Sequence, residues 1–144
     1  MALKVRDTMT GSPRSIDAST SVVEAARLMR EGHIGSLPIT ADEQLVGMIT
    51  DRDIAMRVVA EAADQTKTSV GDVSSRDLVI VEPDEDLDEA LQLMARHQVR
   101  RLPVVENGRL VGIVAQADIA LSENETKTGE LVEAISEPTV GDRS

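Results

Sequence analysis

The sequence predicts an α/β fold, of the α+β kind, in which two copies of one β-α-β-β-α unit pack into a single domain. Three observations carry that expectation. Sliding the chain against itself by 65 residues aligns it without a gap. Each copy carries a helical apolar stripe followed by the short alternating runs of a β-hairpin. The third observation is size, because 144 residues suffice for one compact core and are too few for two ordinary domains.

In the repeat, Val5 falls on Val70, Asp7 on Asp72, Glu24 on Glu89, Ala25 on Ala90, Leu28 on Leu93 and Met29 on Met94. Leu37-Pro38 falls on Leu102-Pro103, Leu45-Val46-Gly47 on Leu110-Val111-Gly112, and Asp53-Ile54-Ala55 on Asp118-Ile119-Ala120. Matches spread so evenly mark two structurally equivalent units. The division expected is a first motif over residues 1–60, a linker over 61–69, a second motif over 70–121 and a C-terminal tail over 122–144.

The elements follow in order. Ser15 to Asp17 and Leu78 to Val81 are short extended runs ahead of helix starts. Ser21-x-x-Glu24 fits a capping box, and Asp86-x-x-Glu89 is a near version of it. Val22, Ala25, Ala26 and Met29 in the first helix, and Leu87, Ala90, Leu91 and Met94 in the second, recur at i, i+3, i+4, i+7 and predict one buried face each. A hairpin follows each helix. Leu37 to Thr40 turns through Ala41-Asp42-Glu43-Gln44 into Leu45 to Ile49, and Leu102 to Val105 turns through Asn107-Gly108 into Leu110 to Val114. A further helix is expected after each hairpin, with Ile54, Ala55, Val58 and Val59 on its face in the first unit and Ile119, Ala120 and Leu121 in the second. Glu61 to Ser69 is polar and reads as the linker. Leu131, Val132 and Ile135 suggest a short amphipathic helix before Pro138.

Composition narrows function. The formal charge of −11 repels polyanions and argues against nucleic acid or anionic membranes as general partners. Phe, Tyr and Trp are absent, which removes the stacking platforms that hold single-stranded nucleic acid, so the core has to be built from Val, Ile, Leu, Met and Ala. Absence of cysteine removes disulfides, thiolate ligands and thiol catalysis, and with no apolar leader in Met1 to Arg6 and no spanning apolar run a cytoplasmic location is expected.

Ile34-Gly35-Ser36-Leu37-Pro38-Ile39 with Gly47-Met48-Ile49-Thr50-Asp51-Arg52-Asp53, and Val99-Arg100-Arg101-Leu102-Pro103-Val104 with Gly112-Ile113-Val114-Ala115-Gln116-Ala117-Asp118, resemble the two motifs of a cystathionine beta-synthase (CBS) domain pair. The resemblance covers residues 4 to 121, and in length the chain is similar to the stand-alone bacterial CBS-pair proteins. It implies two motifs packed with pseudo-twofold symmetry into one Bateman module, clefts that take adenosine-containing ligands, and a homodimer. It further implies a regulatory, non-enzymatic role, with AMP, ADP or ATP as ligand rather than required cofactor, S-adenosylmethionine or NAD as alternatives in the same class, and a regulated protein partner of unknown identity. The competing expectation is a structural or protein-interaction module whose clefts are vestigial.

The family places a hydroxyl residue at the end of the third strand and an Asp three residues later against ribose or phosphate. Here these are Thr50 and Asp53. A carboxylate can accept from both ribose hydroxyls, and the N–H groups of a helix start suit an anion. The same Thr50-x-x-Asp53 is also an N-terminal capping pattern. The second motif keeps Asp118 but has Ala115 in place of the hydroxyl, while Arg100 and Arg101 stand where the first has Gly35 and Ser36. In the family, residues ahead of Leu-Pro from one motif meet the Asp of the other, so Arg100 and Arg101 are expected to face the phosphates of a ligand held by Thr50 and Asp53. A solvated, charge-balancing strand end is the alternative for the two arginines. Ser15, Ile16, Pro38, Arg52 and Pro103 complete the nucleotide-binding set that the resemblance implies. His33 and His97, each at a predicted helix end, suit the helix dipole better than a metal, and the methionines sit in core stripes, so no metal site is expected.

Overall fold

A computed structural model describes residues 3–127 of the chain, with side chains described as far as residue 122. The elements are a 3₁₀ turn at Val5–Asp7, β1 (Thr10–Gly11), β2 (Ile16–Asp17), α1 (Val22–Gly32), β3 (Ser36–Ala41), β4 (Gln44–Thr50), α2 (Asp51–Ile54), α3 (Val70–Val73), α4 (Leu87–His97), β5 (Arg101–Glu106), β6 (Arg109–Ala115) and α5 (Gln116–Lys127). The expected tail helix at Leu131, Val132 and Ile135 lies outside the described residues.

The chain forms two compact units. The first-repeat unit holds Pro13–Leu78 with the hairpin tip Asn107–Leu110, and the second-repeat unit holds the described residues before Pro13 together with Val79–Glu106 and those from Val111 onward. In the first-repeat unit β2 runs parallel to β3, Ile16 opposite Ile39, and β3 pairs antiparallel with β4. Its core is Ile16, Val22, Ala25, Met29, Leu37, Ile39, Ile49, Val58, Val70 and Val73. In the second-repeat unit β5 pairs with β6, Val81 bridges in parallel to Val104, and the core gathers Val81, Leu87, Ala90, Met94, Leu102, Val104, Val114 and Ile119 around Val5. No aromatic ring enters either core, as the composition requires.

The segment that leads into each repeat packs with the other repeat, under one set of rules. Val5 donates its N–H to the Glu85 carbonyl at 2.8 Å, Arg6 to Pro83 at 2.9 Å, and Leu87 donates to Leu3 at 3.0 Å. The counterparts in the first-repeat unit are Val70 to Thr20 at 2.8 Å, Gly71 to Ala18 at 3.0 Å and Val22 to Thr68 at 3.0 Å. Thr10 lies antiparallel to Ile113, and Ser75 to Met48. Val5 and Val70 are both wholly buried. These contacts explain two glycines. A Cβ on Gly47 would stand 3.1 Å from the Ser75 carbonyl oxygen, and one on Gly112 would stand 3.0 Å from that of Thr10, so the third strand of each repeat has little room for a side chain where the leading segment crosses it. Residues 68 and 69, inside the stretch that reads as a polar linker, already belong to this pairing.

Local chemistry sets the ends of the elements. Ser21 caps α1 by accepting from Glu24 N–H at 3.4 Å, but Glu24 turns to Arg27 instead of closing the box. Asp86 makes no side-chain cap on α4, because its carboxylate pairs with Lys4 Nζ at 3.0 Å. α1 and α4 end on His33 (φ 54°) and Gln98 (φ 57°), both in the left-handed region that satisfies the last carbonyls. Both hairpins turn through two residues of positive φ, Asp42-Glu43 and Asn107-Gly108, the geometry that matches strand twist.

The helix after the first hairpin differs from the regular one expected. After α2 it widens into a π turn over Ala55–Val59, with Ala60 donating to the Ala55 carbonyl five residues back at 2.9 Å. The extra residue breaks the predicted stripe. Val58 stays in the core, whereas Val59 is 67% exposed and Ala55 also faces out. In α5 Ile119 is buried as expected, but Ala120 and Leu121 are exposed.

Candidate ligand site

Six of the expected site residues fall in the first-repeat unit. Ser36 pairs with Thr50 across β3 and β4, and Asp51 N–H donates to the Gly35 carbonyl at 2.9 Å, so the start of β3 is fixed against the start of α2. Thr50 ends β4 in extended backbone and its Oγ1 accepts from Asp53 N–H at 3.0 Å. Asp53 returns the bond, its Oδ2 accepting from Thr50 N–H at 2.9 Å. The capping pattern is therefore realised in full. Among the described residues the bond to Asp53 Oδ2 is the one its carboxylate makes, and the side chain is half-buried. Asp51 and Arg52 are exposed on the same first turn. Pro38, opposite Met48, is buried in β3, and Ile16 is buried in the neighbouring edge strand with exposed Ser15 just ahead of it.

Asp17 closes this edge. Its Oδ2 accepts from Ser19 Oγ at 2.6 Å and from Ser19 N–H at 2.9 Å, and these bonds hold its carboxyl below the ordinary Asp range.

The other four residues fall in the second-repeat unit. Arg101 opens β5 and Arg100 precedes it, each engaged with neighbouring groups. Gln116 N–H donates to the Arg100 carbonyl at 2.8 Å, as Asp51 does to Gly35 in the first repeat. Ala115 is buried at the end of β6 and offers no hydroxyl, so Asp118, half-buried on the first turn of α5, lacks the reciprocal cap that Asp53 has. Pro103 is buried and its carbonyl accepts from Val81 N–H at 3.2 Å. The strand end of the first repeat thus carries hydroxyls and acids, and that of the second carries two guanidinium groups.

Arg57 is a further residue with a distinct role here, and no pattern in the sequence marks it out. Arg57 Nη1, on the π turn that follows Asp53, donates to the Val73 carbonyl at 3.2 Å and more weakly to that of Ser74 at 3.4 Å. At the equivalent place of the second repeat, the Ser122 hydroxyl meets that of Thr8. Among the described residues no three His, Asp or Glu side chains are grouped as a metal would need, and no helix is long and apolar enough to cross a membrane.

A duplicated β-α-β-β-α unit with a hydroxyl-and-carboxylate strand end defines the class, and the chain belongs to the CBS domain family, which it matches over residues 5–60 and 70–123. Among individual proteins it is 44% identical over 119 residues to the CBS domain-containing protein YhcV of Bacillus subtilis, covering 83% of this chain and 84% of that one. It is 38% identical to hypoxic response protein 1 of Mycobacterium tuberculosis over 92% of this chain and 94% of the other. The crystal structure of Hypoxic Response Protein I with two coordinated zinc ions superposes with a TM-score of 0.75 at 39% identity, over 82% of this chain and 97% of that one. A CBS domain pair in complex with 5-methylthioadenosine and S-adenosyl-L-methionine superposes with a TM-score of 0.73 at 29% identity, over 88% of this chain and all of the other.

Proposed function

We propose that this chain is a non-enzymatic regulatory module that binds an adenosine-containing ligand, AMP, ADP or ATP foremost, and passes its occupancy to a protein partner. The observation that supports the reading is the strand end of the first repeat, where Asp53 holds the helix start through Oδ2; in this reading Oδ1 is the oxygen that takes the ligand. A carboxylate so positioned suits the vicinal hydroxyls of ribose, to which it would make charge-assisted bonds. The neighbouring CBS pair with 5-methylthioadenosine and S-adenosyl-L-methionine supports the ligand class.

In this reading Thr50, Asp53 and the surrounding Ser15, Ile16, Pro38 and Arg52 provide the ribose and adenine surroundings. Arg100 and Arg101 provide charge for phosphate, with Pro103 and Asp118 the second-repeat counterparts of Pro38 and Asp53. The module works as a cytoplasmic homodimer, in a stress response of the kind that the name of its mycobacterial relative suggests. A thermal-shift screen against adenosine, AMP, ADP, ATP, S-adenosylmethionine and NAD tests it, since a ligand that binds only the folded state raises the midpoint. A rise with an adenosine ligand and none with guanosine or cytidine analogues is the expected result. No shift and no calorimetric heat with any of the six would overturn the ligand reading in favour of a protein-interaction module.

A further inference from the structure

Three features of the first-repeat unit lie in sequence. Thr50 and Asp53 lock the start of α2 by their reciprocal bonds. The helix continues into the π turn, where Val58 is held in the core and Arg57 extends to the carbonyls of Val73 and Ser74. Those carbonyls precede Ser75, which is pinned to Met48 in both directions, Ser75 N–H to the Met48 carbonyl at 3.0 Å and Met48 N–H to the Ser75 carbonyl at 3.2 Å. A few residues on, at Leu78 to Val79, the chain leaves this unit for the other.

We infer that Arg57 is a relay, through which the state of the Thr50–Asp53 cap sets the hold on the connecting segment Val73–Ser75. Three physical points carry this. A π turn carries one residue more than an α-helical turn, a rare form that is frequently found at functional sites. Both carbonyls are reached by the one Nη1, whose N–H bonds lie fixed in the guanidinium plane, so the two can be held together only while the turn presents that plane in one orientation. Val70 and Val73 are anchored in the core, so beyond them the contacts that hold the connecting segment are those of Arg57 with the Val73 and Ser74 carbonyls and of Ser75 with Met48.

The second repeat replaces this arrangement with a contact between two short hydroxyl side chains, Ser122 and Thr8. Hydroxyls rotate to suit and impose no such fixed plane. The relay therefore works from the first repeat alone. Its use in signalling rests on the adenosine-site reading above, whereas the mechanical coupling does not.

The test measures hydrogen exchange at the Ser75 amide, first without any ligand. Asp53→Ala, which removes one of the two bonds of the cap, is expected to speed Ser75 exchange about tenfold in the otherwise unchanged protein and to add nothing once Arg57→Ala is present. Arg57→Lys, which keeps the charge and one donor, should restore part of the response. Independent, additive effects of the two substitutions, or a Ser75 amide indifferent to Asp53→Ala, would overturn the relay. A second arm adds ATP, with binding followed by calorimetry. Bound ATP should slow Ser75 exchange in the unsubstituted chain and leave it unchanged in Arg57→Ala, which is expected to bind with similar affinity. ATP that binds without altering Ser75 exchange also overturns the relay, whereas absence of binding counts against the adenosine reading alone, the first arm still deciding the relay.

Discussion

Substituting Asp53 by Asn separates the two duties that the structure gives this residue. The amide oxygen of Asn can still accept from Thr50 N–H, so the 2.9 Å bond that closes the cap survives and stability should change by less than about 0.5 kcal/mol. The charge is lost, and with it the strength of any bond from ribose. A hydrogen bond to a charged group contributes about 1.5–3 kcal/mol, so the dissociation constant should rise roughly 10- to 150-fold. Asp53→Ala removes both duties, adding a cost of about 1 kcal/mol for the Thr50 N–H left without its acceptor, while Thr50 Oγ1 still accepts from the residue 53 N–H. Thr50→Val, which removes the hydroxyl that accepts at 3.0 Å, should lose a similar amount of stability. Isothermal calorimetry gives the affinities and urea titration the stabilities. Wild-type affinity in folded Asp53→Asn would show that Asp53 only caps the helix, and the ligand reading would lose its main support.

Other expectations follow from the same geometry. Replacing Arg100 and Arg101 together by Ala should weaken AMP or ATP far more than adenosine and flatten the salt dependence of binding, and equal losses for all three ligands would exclude a phosphate role. Asp118→Ala should cost less affinity than Asp53→Ala because Ala115 leaves the second motif without a hydroxyl; equal losses measured by titration would refute the asymmetry. Light scattering should report twice the 15.5 kDa chain mass, since Met56, Val59 and Leu121 are exposed apolar side chains on the helices after the hairpins, and a monomer in the presence of nucleotide would refute the dimer. Val58 takes no part in such a surface, being already in the core. Finally, Val5→Ala should cost about 2 kcal/mol and loosen amides of the second repeat, with Val70→Ala doing the same to the first; exchange data with these patterns reversed would refute the crossed packing of the leading segments.

The family and the element order were legible because both rest on local periodicity written twice. Helical stripes such as Val22, Ala25, Met29 and the Asn107-Gly108 turn report on their own neighbourhoods, and the 65-residue offset reports that the two neighbourhoods are alike. The same offset is silent on which repeat a leading segment joins, because Val5 and Val70 correspond equally well in either arrangement. A signal did exist in Gly47 and Gly112, residues of low strand propensity inside predicted strands, which mark the close crossing of another backbone. The π turn left no such trace. A 3.6-residue stripe assigns Val58 and Val59 to one face, and only the inserted residue sends Val59 outward. At the candidate site the pattern Thr50-x-x-Asp53 supported a cap and a ligand contact alike, and the structure shows the cap formed by both of its bonds.

The crossed leading segments have a consequence for synthesis on the ribosome. Residues 3–12 emerge well before the strands and helix they complete, which include Val104, Val114 and Ile119. At about 5–20 residues per second this segment waits roughly 5 to 20 seconds for its partners, with Val5 in water throughout. The first repeat has a much shorter wait, because Val70 and Val73 follow its own helix and hairpin directly. Translation order thus favours a first repeat that closes early and a second that cannot close until the earlier segment returns to it. A nascent neighbour on the same messenger offers an identical leading segment during that interval, so crowded polysomes are where exchange of this segment between chains would begin.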